Sequence, residues 1–177
     1  MNLIRELQDT PLSSDELQEI TGVKVLTYRD VCSASEIDQL LGKKKAFILL
    51  YESKKNWGHY TLIFKEGNTI FFFDPYGGKF LPDEELSWTP RRLRKQLSEE
   101  RACLSRMLIE SGYLIDYNNH RFQGSDTSTC GYHCALRLYH RKLSSDEYYV
   151  FLEGLRRSSG FTFDELSVIF VILKGGI

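Results

Sequence analysis

The sequence predicts an α+β fold in which a central mixed or antiparallel sheet of about four to five strands is packed by helices. Two observations carry this prediction. Short apolar, β-branched and aromatic runs dominate the first half of the chain, and segments with helix caps dominate the second half. The 177 residues are 42% hydrophobic, which suffices for one core of ordinary size. We therefore expect a single domain over residues 1–177.

The first half of the chain combines two short helices with the predicted strands. Residues 13–22 and 33–42 each carry a hydroxyl cap, early acidic residues and a terminal glycine, which is typical of helices. The predicted strands read VKVLTY (23–28), AFILLY (46–51), HYTLIF (59–64) and IFFF (70–73). The last two flank a Gly-Asn turn, so we expect them to pair as an antiparallel hairpin.

The second half is predicted to be mostly helical. Thr89 and Pro90 are a good cap and first-turn pair, and they predict a long helix that continues to Ser111 and ends at Gly112. A further strand is predicted at residues 113–117. Three more helices are then expected, at residues 130–141, 144–155 and 162–173.

Charge and cysteine usage exclude several classes of protein. Lys and Arg total 23 against 24 Asp and Glu, so the net charge of −1 gives no general attraction to nucleic acid or membranes. The first residues lack the pattern of a secretory signal, and no apolar run is long enough to span a bilayer. We expect a soluble protein that is not secreted. Its four irregularly spaced cysteines are expected to be reduced thiols in a reducing compartment: Cys32, Cys103, Cys130 and Cys134.

Cys130 stands where a polar turn, QGSDTST, gives way to a predicted helix. Ser128 or Thr129 is suited to cap that helix, whose unpaired N–H groups place a partial positive charge beside the sulfur. Such an environment favours the thiolate, which is the reactive form of cysteine. A cysteine at a helix start can also be a small core residue, so the neighbouring chemistry must decide between the two interpretations.

A histidine and an aspartate flank the predicted hairpin. His59 begins its first strand and Asp74 follows its second, so antiparallel pairing would place the two side chains next to each other. An imidazole oriented by a carboxylate is the partner that a cysteine nucleophile requires. Gln123 lies on the turn before Cys130, where its side-chain N–H and the Cys130 backbone N–H could converge on one oxyanion.

These four residues and their surroundings resemble two related families. The order His59, Asp74, Gln123, Cys130, within GHYTLIF, FFFDPYG and Q…TCGYHC, is similar to that of adenovirus-type maturation proteases and of ubiquitin-like-protein-specific proteases. The resemblance spans residues 46–141. The seven-residue step from Gln123 to Cys130 and the second cysteine, Cys134, look more like the adenovirus type. The chain departs from these patterns at three positions. Tyr60 stands where both families often have tryptophan, and Asp74 stands where the adenovirus type has glutamate, although aspartate is usual in the ubiquitin-like-protein-specific group. Thr129 stands where that second group usually has aspartate.

The resemblance implies a cysteine endopeptidase that cleaves after glycine, at Gly-Gly or Gly-X-Gly sites, in viral capsid or core precursors. Cys130 would be the nucleophile, His59 the base, Asp74 its orienting acid and Gln123 an oxyanion donor. Substrate contacts are expected from Trp57, Gly58, Tyr60 and Gly131. The resemblance implies no metal or organic cofactor, and it implies a location in the virion and the host cytoplasm. Oligomeric state stays open.

Several alternatives stay open at the level of sequence. A deubiquitinase-like isopeptidase, an acyltransferase and a non-catalytic module could share this fold, and Cys130, His133, Cys134 and His120 could hold a metal. The resemblance also invites contact with DNA through a basic helix containing Arg91, Arg92, Arg94 and Lys95. The last residues, Leu173 to Ile177, resemble a Gly-Gly cleavage site, or they simply end the final helix.

Overall fold

The computed structural model describes residues 2–78 and 102–175, together with positions 92 and 95. This part of the chain forms a five-stranded sheet whose strands lie side by side in chain order. The strands are Lys24–Thr27 (β1), Ala46–Lys54 (β2), Trp57–Glu66 (β3), Thr69–Phe73 (β4) and Leu114–Tyr117 (β5). The two outer strands run parallel to their neighbours, and the three central strands are antiparallel. The prediction of an α+β fold with a mixed sheet is therefore confirmed.

Eight helices with defined ends lie in the described part of the chain. They are Asn2–Gln8 (α1), Ser14–Thr21 (α2), Tyr28–Ser33 (α3), Ile37–Leu41 (α4), Cys103–Glu110 (α5), Cys130–Tyr139 (α6), Ser145–Ser159 (α7) and Phe163–Leu173 (α8). Capping boxes begin α2, α3, α7 and α8. Sequence patterns had indicated neither α1 nor α3. No helix among the described residues is long and apolar enough to cross a membrane.

The long helix predicted from Thr89 to Ser111 is wrong as one continuous element. Arg92 and Lys95 are helical, but Ala102 has non-helical backbone angles (φ −75°, ψ 62°) and precedes a new helix, α5. Thr89 and Pro90 lie outside the described residues. Periodicity cannot reveal such a break, because the residues around Ala102 are compatible with a helix and tertiary packing decides whether it continues.

Helices cover both faces of the sheet. On one face, α2, α6, α7 and α8 pack over alternate residues of the central strands, which include Leu62, Phe64 and Phe73. On the other face, α3, α4 and α5 pack over the residues between them, such as Ile63 and Phe72. Because both faces are covered, β2 is fully buried from Ala46 to Glu52, which explains its continuous apolar run.

A disulfide joins Cys32 of α3 to Cys103 at the start of α5, with their Cα atoms 5.2 Å apart. The prediction that all four cysteines are reduced thiols is therefore wrong for this pair, while Cys130 and Cys134 are free. The two bonded residues are 71 positions apart in sequence. Only the packing of α3 against α5 brings them together, and spacing along the chain carries no sign of it.

Candidate active site

The hairpin of β3 and β4 brings His59 and Asp74 together as predicted. Glu66 pairs with Thr69 across the Gly67-Asn68 turn, and this turn fixes the register of the two strands. His59 lies near the start of β3 and Asp74 directly follows β4. Their side chains are buried, and His59 Nε2 lies 2.8 Å from Asp74 Oδ1. The acid and the imidazole thus form a hydrogen-bonded pair at one end of the sheet.

The other side of the His59 imidazole faces the sulfur of Cys130. Since Asp74 occupies Nε2, Nδ1 is the nitrogen left for the hydrogen bond that joins the ring to the Cys130 side chain. Burial lowers the pKa of His59, but the hydrogen bonds to Asp74 and Cys130 and their charges outweigh it, and the pKa is raised to about 10. The ring also stacks on Tyr76, with centroids 4.8 Å apart. Imidazole, carboxylate and thiol form one continuous chain.

Cys130 is the first residue of α6, as predicted, and its side chain is 6% exposed. The expectation that Thr129 or Ser128 caps this helix is wrong. Among the described residues, no side chain caps α6, and the Thr129 hydroxyl donates instead to the carboxylate of Asp164. The positive end of the helix therefore keeps its unpaired N–H groups beside the sulfur.

Gln123 lies beside Cys130 in the same cleft and is 3% exposed. Its backbone N–H donates to the Pro75 carbonyl (3.0 Å), which anchors it to the residue after Asp74. Its side-chain Nε2 donates one hydrogen to the Thr127 carbonyl (2.9 Å). A carboxamide nitrogen carries two hydrogens, so one remains for an oxygen atom in the cleft, where the Cys130 N–H can meet it.

The cleft above these residues is small, with a volume of about 190 Å³. Its lining residues are Pro11, Ser53, Trp57, Gly58, His59, Tyr76, Gln123, Thr127, Ser128 and Cys130. Gly58 has no room for a side chain, because a Cβ would lie 1.8 Å from the Tyr51 carbonyl oxygen. The predicted residues Trp57 and Gly58 thus do lie in the cleft.

The structure does not bring Tyr60 and Gly131, the other two predicted substrate contacts, into the cleft lining. Successive residues of a strand point to opposite faces, so Tyr60 turns away from His59 into the core, where its hydroxyl meets Ser14 Oγ at 3.2 Å. At Gly131 a Cβ would lie 3.4 Å from Leu12. A Cβ there would make only an ordinary van der Waals contact, so this position faces the N-terminal segment and not the cleft.

Sequence reasoning missed two parts of the site. The segment before α2 forms one wall: Pro11 lines the cleft, and the Gln8 carbonyl accepts the Ser128 N–H at 2.7 Å. Asn118 anchors the backbone of Asp74 on both sides, by accepting its N–H (2.9 Å) and donating to its carbonyl (2.6 Å). Asn118 directly follows β5, and β5 runs parallel to β4, which ends just before Asp74. Parallel pairing of these two strands is therefore the signal that could have placed Asn118 next to Asp74.

The remaining predicted residues lie in several environments. Among the described residues, no group of three or more His, Cys, Asp or Glu side chains is arranged to hold a metal ion. His133 contacts Asp164, and His120 stacks on Tyr149.

Arg92 and Lys95 of the basic segment are exposed, whereas Arg91 and Arg94 lie outside the described residues, so DNA contact stays a prediction. Leu173 ends α8 and Gly175 takes a left-handed conformation (φ 73°), while Gly176 and Ile177 lie outside the described residues.

Comparison with known proteins gives one whole-chain relative. No family model matches the chain. The chain is 32% identical over 177 residues to a protein of the Sputnik virophage described as "Uncharacterized protein V9". The alignment covers 97% of this chain and 100% of the virophage protein.

Proposed function

This chain belongs to the family of the Sputnik virophage V9 protein, and we propose that it is a cysteine endopeptidase that cleaves precursor proteins after glycine during assembly of a virus particle. The observation that carries the proposal is the chain of contacts from Asp74 through His59 to Cys130, whose last two members line one cleft together with Gln123. A nucleophile, a base, an orienting acid and an oxyanion donor are the parts that acyl transfer by cysteine requires.

In the first half of the reaction, the Cys130 thiolate attacks the scissile carbonyl carbon and forms a C–S bond. The carbonyl oxygen becomes an oxyanion, which accepts hydrogen bonds from the Cys130 backbone N–H and from Gln123 Nε2. Protonated His59 then gives its Nδ1 proton to the leaving amine nitrogen as the C–N bond breaks. The products are a free amino terminus and a thioester on Cys130.

In the second half, neutral His59 removes a proton from a water molecule, whose oxygen attacks the thioester carbon. The C–S bond breaks, the acyl product leaves as a carboxylic acid that ionises, and the imidazolium is again paired with the thiolate. Asp74 keeps the ring orientation fixed throughout, because its Oδ1 holds Nε2. The raised pKa of His59 supports the imidazolium as its resting form.

The preference for glycine is supported by the dimensions of the cleft. Its volume of about 190 Å³ is below the range of about 300–1,000 Å³ usual for small-molecule sites. Aromatic rings of Trp57 and Tyr76 and the ring of Pro11 line it. A substrate residue without a Cβ can approach a nucleophile between such walls with the least steric cost.

Labelling with a peptide that ends in a glycine electrophile tests the proposal. A glycine vinyl sulfone should attach one equivalent to the wild-type protein at Cys130, and a matched probe ending in valine should react at least tenfold more slowly. Cys130→Ala should abolish labelling, whereas Cys134→Ala is the control that retains it, because Cys134 is fully buried.

Hydrolysis of an internal Gly-Gly peptide separates a protease from the alternatives. An endopeptidase releases both fragments with a new carboxylate, whereas an acyltransferase requires an added amine acceptor. Cleavage only of isopeptide-linked ubiquitin-like conjugates would instead indicate the isopeptidase. The proposal is wrong if wild-type protein neither labels at Cys130 nor cleaves either substrate.

A further inference from the structure

Asp164 is a buried carboxylate that gathers the loop in front of the nucleophile. It lies in the first turn of α8 and is 7% exposed. Its oxygen atoms accept hydrogen bonds from the Gly124 N–H (2.9 Å) and from the Thr127 hydroxyl (3.3 Å). They also accept from the Thr129 hydroxyl and from His133 Nε2 (3.0 Å). One side chain thus bonds four residues from two elements.

Three of these partners lie in the segment that leads from the oxyanion donor to the nucleophile, residues 123–129, which we term the oxyanion loop. Gly124 directly follows Gln123, and Thr129 directly precedes Cys130. Between them, the Thr127 carbonyl accepts the hydrogen bond from Gln123 Nε2 at 2.9 Å. The relative position of Gln123 and Cys130 therefore depends on the contacts that Asp164 makes along the loop.

Helix capping does not account for Asp164. The start of α8 already has a complete capping box, formed by Thr162 and Glu165. An acidic residue in a first turn usually needs no burial to interact with the helix dipole. Burying a carboxylate is costly unless its oxygens are well bonded, and here the bonds go to the oxyanion loop and to α6.

The contact with Thr129 ties down the end of the oxyanion loop that lies next to the nucleophile. A threonine at the N-cap position normally turns its hydroxyl toward the first helical N–H groups. Here the hydroxyl donates to Asp164 instead, so Thr129 is bonded to α8. The same carboxylate therefore holds the residue after Gln123 and the residue before Cys130.

We propose that Asp164 is a positioning residue that holds the oxyanion loop in the conformation in which Gln123 and the Cys130 N–H point at one oxygen. The inference rests on the proposed endopeptidase function. It concerns the oxyanion donors, because the bonding partners of Asp164 are Gly124, Thr127, Thr129 and His133.

The central test is the Asp164→Asn variant, which keeps the side-chain volume but replaces one acceptor oxygen by a donor. We expect kcat for a Gly-Gly peptide to fall about 10- to 100-fold, the scale of one oxyanion donor, with KM changed less than about twofold since the cleft walls are intact. Glu165→Gln is the matched control. It removes a neighbouring charge and weakens the cap of the same helix, and it should leave kcat unchanged.

Alkylation of Cys130 by iodoacetamide distinguishes positioning from general damage, because this reaction forms no oxyanion. Asp164→Asn should be alkylated within about twofold of the wild-type rate while its peptide hydrolysis is low. If alkylation and hydrolysis fall together, Asp164 acts through the overall fold and the inference is wrong. If wild type is active and Asp164→Asn is equally active, the inference fails while the proposed function stands.

Two further variants keep the inference testable if Asp164→Asn does not fold. Thr129→Val removes one hydroxyl without changing volume and should lower kcat about tenfold, and Thr129→Ser should restore it. In a Gln123→Ala background, Thr129→Val should cost less than about threefold more, because both changes act on one group of donors. Full additivity of the two losses would overturn the inference.

Discussion

Two buried histidine–aspartate pairs in this molecule have nearly the same geometry and different surroundings. His59 Nε2 lies 2.8 Å from Asp74 Oδ1, and His133 Nε2 lies 3.0 Å from Asp164 Oδ1. The first imidazole lines the cleft and bonds the Cys130 side chain. The second is fully buried, and its aspartate bonds a loop. A histidine–aspartate contact therefore does not identify a catalytic base by itself, since access to the nucleophile and to the cleft makes the difference.

Replacing each histidine should separate the two pairs most strongly. His59→Ala removes the general base, and we expect kcat/KM for a Gly-Gly peptide to fall by about 10⁴-fold, with Asp74→Asn less damaging. His133→Gln should cost only about tenfold in kcat/KM, because it removes one hydrogen bond to Asp164, which bonds the oxyanion loop. Purified variants with matched circular dichroism spectra provide the comparison. Equal losses at the two positions would contradict this division of roles.

Gln123 lies between the two histidine–aspartate pairs in the chain of contacts. Removing its side chain should lower activity by less than His59→Ala does and by more than His133→Gln does. In the proposed mechanism its side chain serves the reaction at His59 and Cys130, and Gly124 of the same loop bonds Asp164. Gln123→Ala should lower kcat about 10²-fold through loss of one oxyanion donor. Steady-state kinetics on the same peptide measures the loss, with Gln18→Ala on α2 as a control outside the cleft. A loss in kcat below about threefold would contradict the role of Gln123 as an oxyanion donor.

The two pairs should lose their contributions to stability at opposite ends of the pH scale. The pKa of His59 is raised to about 10, so its stabilisation is complete below the ordinary value near 6.5 and disappears as pH rises through about 10. Burial raises the pKa of Asp164, but hydrogen bonds from His133, Thr129 and Gly124 outweigh it, and the net shift is downward. Its stabilisation is present above the ordinary value of 3.8 and lost as pH falls through the lowered pKa.

Urea unfolding between acidic and alkaline pH measures these two contributions. His59→Gln should flatten the alkaline limb of the curve of unfolding free energy against pH and leave the acid limb unchanged. Asp164→Asn should flatten the acid limb of this curve and leave the alkaline limb unchanged. Variants whose curves run parallel to that of the wild type at both ends would show that neither pair is linked to folding in this way.

The disulfide gives the smallest expected effect on activity and a reference for pure loss of stability. Cys32 and Cys103 lie on the opposite face of the sheet from the larger core cluster, which includes Cys130, and they close a span of 71 residues. Replacing both by serine should lower the free energy of unfolding by about 2–4 kcal/mol and change kcat by less than twofold at 25 °C. Denaturant unfolding measures the first quantity, and reduction of the wild type is its control. A large loss of kcat in the double serine variant would instead show that this face of the sheet influences the candidate active site.

Two parts of the site follow from local geometry and could be predicted from the sequence. A two-residue turn fixes the register of a hairpin, so the proximity of His59 and Asp74 could be read from the chain. The start of α6 at Cys130 was likewise readable, because helix boundaries depend on neighbouring residues. The alternation of side chains along a strand also predicts that Tyr60, which follows His59, points away from the cleft.

The distant residues that support the site are visible only in the tertiary structure and could not be predicted from the sequence. Asn118 meets Asp74 across 44 positions, Asp164 meets Thr129 across 35, and Cys32 meets Cys103 across 71. None of these contacts follows from local propensity, because each depends on how helices and strands pack on the two faces of the sheet. Packing is set by the complementarity of whole surfaces, so a polar residue such as Asp164 reads as an ordinary first-turn acid until its neighbours are known.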